Sequence, residues 1–331
     1  MTALVFGAPT IHAQPSLEWG GRAYVDYTYQ LASDDPDLVG FNTFDYRRIY
    51  LTADADLDES FSSRVRLEMT GRNTLESGRP AAFVKDAWVR WQYAGEHRVT
   101  LGVQPPPLFQ EAEAVWRYRS LERTLMDRTI RSSRDFGLRA DGPLAGPVRY
   151  GVMFANGAGI EQEDDGARGK RVYGQLVARQ GPFRATLGAD YTSDQAPTVD
   201  GIDAPNETSA RTSAFVGYAA ERGSVGVEAF YELIDPDVPE VGEQNGVGFS
   251  VFGSVEVMPK TTLIGRYDFT DDDVGARNIN DELAGVDEHF VLGAVAYQPI
   301  PTVWIMPNVI AVLPEGEDAD VQGRLTVEFR F

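Results

Sequence analysis

The chain has 331 residues, a formal net charge of −20 and no cysteine, which excludes disulfide frameworks, thiolate metal sites, iron–sulfur clusters and cysteine nucleophiles. Hydrophobic residues make up 43 %, enough for extensive burial, while the acid excess argues against nucleic acid as a partner, since its recognition starts from a basic face. No uninterrupted apolar run approaches the ~18 residues that a membrane helix needs.

Residues 1–14 (MTALVFGAPTIHAQ) read as a truncated secretory signal peptide. A short apolar stretch is followed by small residues, and Ala13 stands where a cut would fall, although the basic leading segment is missing. The remainder, 15–331, reads as a single domain. From Leu17, apolar side chains (Leu17, Trp19, Ala23, Val25, Tyr27, Tyr29) alternate with polar ones (Glu18, Arg22, Asp26, Thr28, Gln30). Successive side chains of a strand point to opposite faces, so this is a strand with one oily and one wet side.

The pattern recurs in sixteen segments, at 17–31, 43–57, 61–70, 82–93, 96–104, 133–141, 147–155, 169–180, 183–192, 210–220, 224–233, 247–257, 261–269, 288–297, 302–312 and 321–331. Most are ~9–13 residues long, the length of a tilted membrane-crossing strand, where soluble strands average ~5–6. The connections alternate short (58–60, 94–95, 142–146, 180–182, 221–223, 258–260, 298–301) and long (32–42, 71–81, 105–132, 156–168, 193–209, 234–246, 270–287, 313–320). That rhythm predicts an all-β, sixteen-stranded antiparallel up-and-down transmembrane β-barrel, with oily side chains toward lipid and polar ones lining water. Trp19, Tyr29, Trp91, Tyr93, Tyr218, Tyr231 and Tyr267, near strand ends, suit interfacial girdles.

The third long link differs. Between Glu111 and Arg128 strand alternation lapses, and Val115, Leu121, Leu125 and Met126 recur at helical spacing. A short helix here would set Arg119 and Arg123 one turn apart. A long link with its own apolar residues should fold into the barrel, bury them on the wall and narrow the channel. By alternation the lumen wall carries Arg22, Arg48, Arg64, Arg66, Asp86, Arg90, Arg266 and Arg324, while Lys85 falls on the lipid side. Such a mixed wall either stiffens the barrel with ion pairs or selects solutes through a ring of one sign at the narrowest point. The expected ring is Arg117, Arg119, Arg123 and Arg128, supported by Arg64, Arg66 and Arg90.

The same stretch and its flanks resemble the phosphate-selective porin O/P family of outer-membrane porins. The resemblance rests on Arg48-Ile49-Tyr50-Leu51, Phe83 to Trp91 (FVKDAWVRW), Gly102-Val103-Gln104, Ser120-Leu121-Glu122-Arg123 to Met126-Asp127-Arg128, and Arg134-Asp135-Phe136-Gly137-Leu138. It covers the N-terminal half in motif and the C-terminal half mainly in pattern. It implies the outer membrane of a Gram-negative-type bacterium, a homotrimer, and a water-filled diffusion channel for small hydrophilic solutes that favours anions such as phosphate. Phe331, alternating with Phe329 and Val327, looks like the terminal signal read by the barrel-assembly machinery. The chain departs from the lysine-rich walls of phosphate-specific members, having only Lys85, Lys170 and Lys260.

Other readings are weaker. An enzyme would need a nucleophile and base in reach; His97 and His289 fall at opposite rims, and no G-x-S-x-G, H-E-x-x-H or P-loop occurs. No cofactor or metal is expected: Asp271-Asp272-Asp273 lacks the EF-hand spacing. The acids concentrate in the long links, where they form a solvated rim that could face outer-membrane lipid and lipopolysaccharide. The alternative function is an adhesin-like binding or structural barrel with a closed pore.

Overall fold

Inside hydrocarbon every backbone N–H and C=O must find a partner within the protein, so a sheet that spans a membrane has to leave no edge. The computed structural model describes residues 16–74, 79–130, 132–157, 159, 169–194, 198–199, 202–203, 207–235, 243–271 and 287–331. The expected signal peptide and much of the acidic long links lie outside the described residues.

The first five strands are β1 (Ser16–Ala32), β2 (Asn42–Asp56), β3 (Phe61–Thr74), β4 (Pro80–Ala94) and β5 (His97–Gln104). Two short helices follow, α1 (Gln110–Trp116) and α2 (Leu125–Thr129). Next come β6 (Asp135–Ala145), β7 (Val148–Ala155), β8 (Arg171–Gln180) and β9 (Phe183–Asp194), then a two-stranded ribbon, β10 (Thr198–Val199) and β11 (Ile202–Asp203). The remaining strands are β12 (Glu207–Ala220), β13 (Gly223–Asp235), β14 (Gln244–Met258), β15 (Thr261–Thr270), β16 (Glu288–Ile300), β17 (Val303–Pro314) and β18 (Asp320–Arg330).

All but β10 and β11 form one closed antiparallel barrel of sixteen strands, each overlapping the segment that alternation predicts. Closure is made by β1 with β18, which pair Tyr24 with Glu328 and Thr28 with Arg324. The terminal residue seals the seam. Gly21 N donates to Phe331 O at 2.7 Å, Phe331 N donates back to Gly21 O at 3.1 Å, and the Phe331 ring lies over the bare Gly21 backbone.

Burial runs opposite to that of a soluble domain: Leu187 and Val216 are 65 % and 62 % exposed on the outer wall, while Glu68 and Asp268 are 2 % and 0 % exposed within. Water-hating side chains on the outside are stable only against acyl chains. Aromatic pairs mark the short-turn rim: Phe61 stacks on Trp91 at 5.9 Å, Trp91 meets Tyr93 at 5.7 Å, and Phe183 meets Tyr218 edge-on at 5.1 Å.

Three features depart from simple alternation. Lys85 points into the lumen, not to lipid. The partner register jumps from Arg66↔Asp86 to Leu67↔Val84, so Lys85 is the extra residue of a β-bulge, and it joins Asp86 inside. A second bulge does the same for Arg47, where Tyr24↔Arg48 is followed by Val25↔Tyr46. Third, the inner face of β12 to β17 is not polar throughout: Phe215, Phe252, Ile264, Phe290, Leu292, Met306 and Ile310 are buried there. The signal was present in β16, whose run Phe290 to Ala296 is apolar on both faces.

Gly102 in β5 has φ +130, and a Cβ there would stand 2.1 Å from the Ala87 carbonyl oxygen of β4. Gly102→Ala should therefore cost about 1–3 kcal/mol or more and reduce the fraction that migrates as folded barrel in unheated gels. Gly174→Ala in β8, with nothing within 4 Å of the new methyl, should leave that fraction unchanged.

Candidate functional site

The inner apolar face of β12 to β17 is the seat of the third long loop. The loop leaves β5 through Pro105-Pro106-Pro107 and lays α1 along β9, β12, β13 and β14, and α2 along β13 and β14. Ala112, Val115, Trp116 and Leu121 pack on Phe215, Phe252, Phe290, Leu292 and Met306, with the Trp116 and Phe252 rings 5.2 Å apart. Further along, Leu108, Phe109, Leu125, Met126 and Ile130 pack on Met153, Tyr173 and Phe230. Each large apolar side chain so buried contributes about 1.5–3 kcal/mol. The loop is thus folded into the barrel and fills the lumen beside β7 to β17. Open space remains along β18 and β1 to β4, and beside β13 to β17 toward the short-turn rim.

The helix expected across Glu111 to Arg128 is broken. Arg117 takes the left-handed conformation at φ 66 and ends α1; a tight turn follows, and α2 starts only at Leu125. Arg119 and Arg123 consequently lie on the non-helical tip, not one helical turn apart. Arg119 ties the two helices together, its Nη1 donating to Glu113 on α1 and Asp127 on α2. The Trp116 indole N–H closes the turn on the Glu122 carbonyl at 2.7 Å.

Two carboxylates thus share one guanidinium. Burial raises the Asp127 carboxyl, but Arg119 and then Arg123 outweigh burial and bring it down to about 2. Burial pushes the Glu113 carboxyl up against the pull of the same Arg119. On acidification Glu113 takes the first proton, and the Arg119–Asp127 pair persists.

The wall facing the loop has the opposite stoichiometry at four buried carboxylates, each shared by two cations. Glu68 accepts from Lys85 and lies 3.3 Å from Arg48 Nη1. Asp86 accepts from Arg134 and lies 3.3 Å from Arg66 Nη1. Asp141 is shared by Arg98 and Arg139, and Glu328 by Arg22 at 3.5 Å and Arg330 at 2.8 Å. Aromatic faces carry more of the charge: Arg66 and Lys85 each lie 5.6 Å from the Tyr50 ring, and Trp88 has Arg64 at 5.7 Å and Arg90 at 4.4 Å.

Two cavities of about 540 Å³ meet at Arg119 and Tyr24, which line both. The outer one opens toward the long-loop rim and carries Arg47, Arg48, Arg123, Arg128 and Arg324 against Asp26, Asp45, Glu122, Glu288 and Asp320. In the inner one, among the described residues, the lining cations Arg22, Arg66, Lys85, Arg119, Arg134 and Arg330 face two lining acids, Asp54 and Glu113. A third cavity of about 510 Å³ leads on to the short-turn rim and shares Arg330.

The residues expected at the constriction are therefore spread along the path. Arg119 is at the junction, and Arg123 and Arg128 border the outer cavity, with Arg128 2.9 Å from Glu288. Arg117 lines the short-turn cavity and donates to the Ala220 carbonyl at 3.3 Å. Among the expected wall residues, Arg22, Arg48, Arg66 and Arg324 line cavities; Arg64 forks onto Asp54 at 2.6 and 2.9 Å, Arg90 reaches Thr100 at 3.1 Å, and Asp86 sits behind its cations. Arg266 lies behind the loop, forked on Asp268 and donating to the Arg123 carbonyl. The cations missed from sequence include Lys85 and Arg47, bulge residues that alternation misplaces, and Arg134 and Arg330, which line the inner cavity. His97 and His289 bond Tyr150 and Tyr267 at opposite rims, 3.2 and 2.8 Å from the phenol oxygens.

A family model described as Gram-negative porin matches residues 1–297. No curated protein matches the chain. Solved structures similar to it include an anion-selective porin from Comamonas acidovorans (TM-score 0.73, 13 % identity, 96 % of this chain and 100 % of that one). Others are the trimer form of Vibrio cholerae OmpT (0.67, 12 %, 96 % and 100 %) and Salmonella typhi OmpF in complex with daunomycin (0.65, 13 %, 95 % and 97 %). At such identities the likeness to these structures is one of fold.

Asp127→Asn should loosen the loop, because breaking a buried ion pair costs about 3–5 kcal/mol, and Glu113→Gln, which gives up the less buried of the two Arg119 contacts, should loosen it less. The Asp127 value lies below that of an unfolded chain, so its contribution is complete above the unfolded value and is lost as pH falls toward 2. The Arg119–Asp127 contact should then persist from pH 7 to about pH 4, and the single-channel conductance of the Asp127→Asn variant should differ from wild type throughout that range.

Proposed function

The chain belongs to the Gram-negative porin family, and from that premise we propose that its outer-membrane diffusion channel passes small hydrophilic solutes with a preference for anions. The observation that carries the preference is the pairing of cations two to one with Glu68 and Asp86 on the passage wall, which leaves the inner cavity cationic. At physiological salt the Debye length is about 8 Å, so this surplus acts on any solute that squeezes past Arg119.

Guanidinium forks match carboxylate and phosphate oxygens, and tight binding would slow release. Here each wall cation is already partly engaged by a carboxylate, a phenol or a ring, which favours weak, successive contacts over capture, as conduction requires. A phosphate preference, the narrower reading that the motif resemblance implies, is supported by the arginine-rich junction. The lysine-poor wall favours a broader anion range. We also infer a homotrimer, in keeping with the trimer form of Vibrio cholerae OmpT, with lipopolysaccharide against the outer wall and Phe331 as the residue offered to the barrel-assembly machinery.

Reversal potentials in planar bilayers under a potassium chloride gradient test the proposal. Wild type should favour chloride, and Arg66→Glu with Lys85→Glu should move the potential toward cation preference. Each reversed charge is worth on the order of 1 kcal/mol across water, about fivefold in the permeability ratio. Cation preference in the wild type would sink the anion claim.

A further inference from the structure

We propose that Arg47 and Arg324 are positioning residues for permeation, a pair of guanidinium latches that hold the loop tip against the barrel and so set the width of the passage at Arg119. Arg47 comes from β2 and Arg324 from β18, the two strands that flank β1. Their side chains converge on one carbonyl: Leu121 O accepts from Arg47 Nη1 at 2.7 Å and from Arg324 Nη2 at 2.8 Å. The second arm of Arg47 reaches the neighbouring Ser120 carbonyl. A carbonyl oxygen has two lone pairs, and both are used here by cations.

The latches are themselves held. Arg324 Nε donates to Asn308 Oδ1 at 3.1 Å, Asn308 Nδ2 donates to Thr326 Oγ1 at 3.1 Å, and Thr326 donates to Asp26 Oδ1 at 2.6 Å. The other Asp26 oxygen forms an ion pair with Arg47 Nε at 2.8 Å, outside hydrogen-bond geometry, which closes the circuit of contacts that starts and ends at Leu121 O. Asn308, Thr326 and Asp26 are all buried. A closed circuit of this kind fixes every rotamer in it, and a fixed rotamer is what turns a flexible cation into a positioning device.

The β2 bulge gives the assignment independent weight. In unbroken alternation Arg47, next to lumen-facing Arg48, would face lipid, where a cation costs about 2–4 kcal/mol near the midplane of a barrel; as the bulge residue it faces the lumen beside Arg48. Arg48 lines the passage and Arg47 holds its opposite bank. The proposal rests on the diffusion channel alone and is indifferent to which sign of ion the channel prefers.

The absence of cysteine allows a direct test. Ser120 is 1 % exposed, so the near-isosteric Ser120→Cys places a thiol at the latch that a membrane-impermeant methanethiosulfonate should label slowly. Adding Arg47→Lys or Arg324→Lys keeps the lumen charge but removes the fork, and Asn308→Ala breaks the circuit without touching charge or loop. Each should raise the labelling rate by at least about tenfold, the effect of losing one charge-assisted hydrogen bond, and should raise single-channel conductance. Only material that migrates as folded barrel in unheated gels is compared, and Asn308→Ala carries the test should the lysine variants not assemble. Labelling at the wild-type rate overturns the latch whatever conductance does. Faster labelling at wild-type conductance overturns it too, since the tip would then move without changing the passage.

Discussion

The governing constraint is that a peptide group in hydrocarbon has no water to turn to. It forces the chain into a sheet without edges, and the size of that sheet decides what the interior can be. Sixteen strands enclose more space than their inward side chains can fill, so the lumen is wet, and polar residues belong inside. The loop is the response to the surplus space. It occupies much of the lumen with a small apolar core of its own, built on Trp116, Leu121 and Leu125, and leaves the rest as a route for solutes.

Two electrostatic regimes coexist in this interior. Behind the loop, charges are fully neutralised in buried pairs such as Arg266 with Asp268 and Arg211 with Glu232, and their role is to hold strands and loop in place. Along the passage the carboxylates are sunk beneath pairs of cations, so the same kind of interaction leaves a net field in the water. Exposure of the cation is what distinguishes them: Arg48 and Arg66 are partly open to the lumen over their buried carboxylates, whereas Arg211 and Arg266 are as buried as the carboxylates they pair with. The division of labour also explains the dominance of arginine. A guanidinium has enough donors to grip a buried carboxylate and still present an edge to a passing solute; an ammonium offers a single point.

The barrel was legible in the sequence because alternation is a local signal repeated many times, and an error in one segment does not spread to the next. The loop was legible as an interruption, from Val115, Leu121, Leu125 and Met126, but its break at Arg117 was not, since a left-handed residue without glycine leaves no mark in periodicity. The passage was the least legible part. Its membership depends on which cations share a carboxylate across strands, as Lys85 of β4 and Arg48 of β2 share Glu68 of β3, and on two register jumps that move side chains through the wall. The apolar inner face of β16 was visible as a run without alternation, although its purpose becomes clear only with the loop lying on it.

Those register jumps give the lineage an unusual handle on its own permeability. Loss of the single codon at position 47 or 85 would remove one lumen-facing charge together with its bulge, while the flanking residues kept the faces they now occupy. A one-residue deletion at either point is thus a local change, confined to a single inward side chain and the bend of its strand.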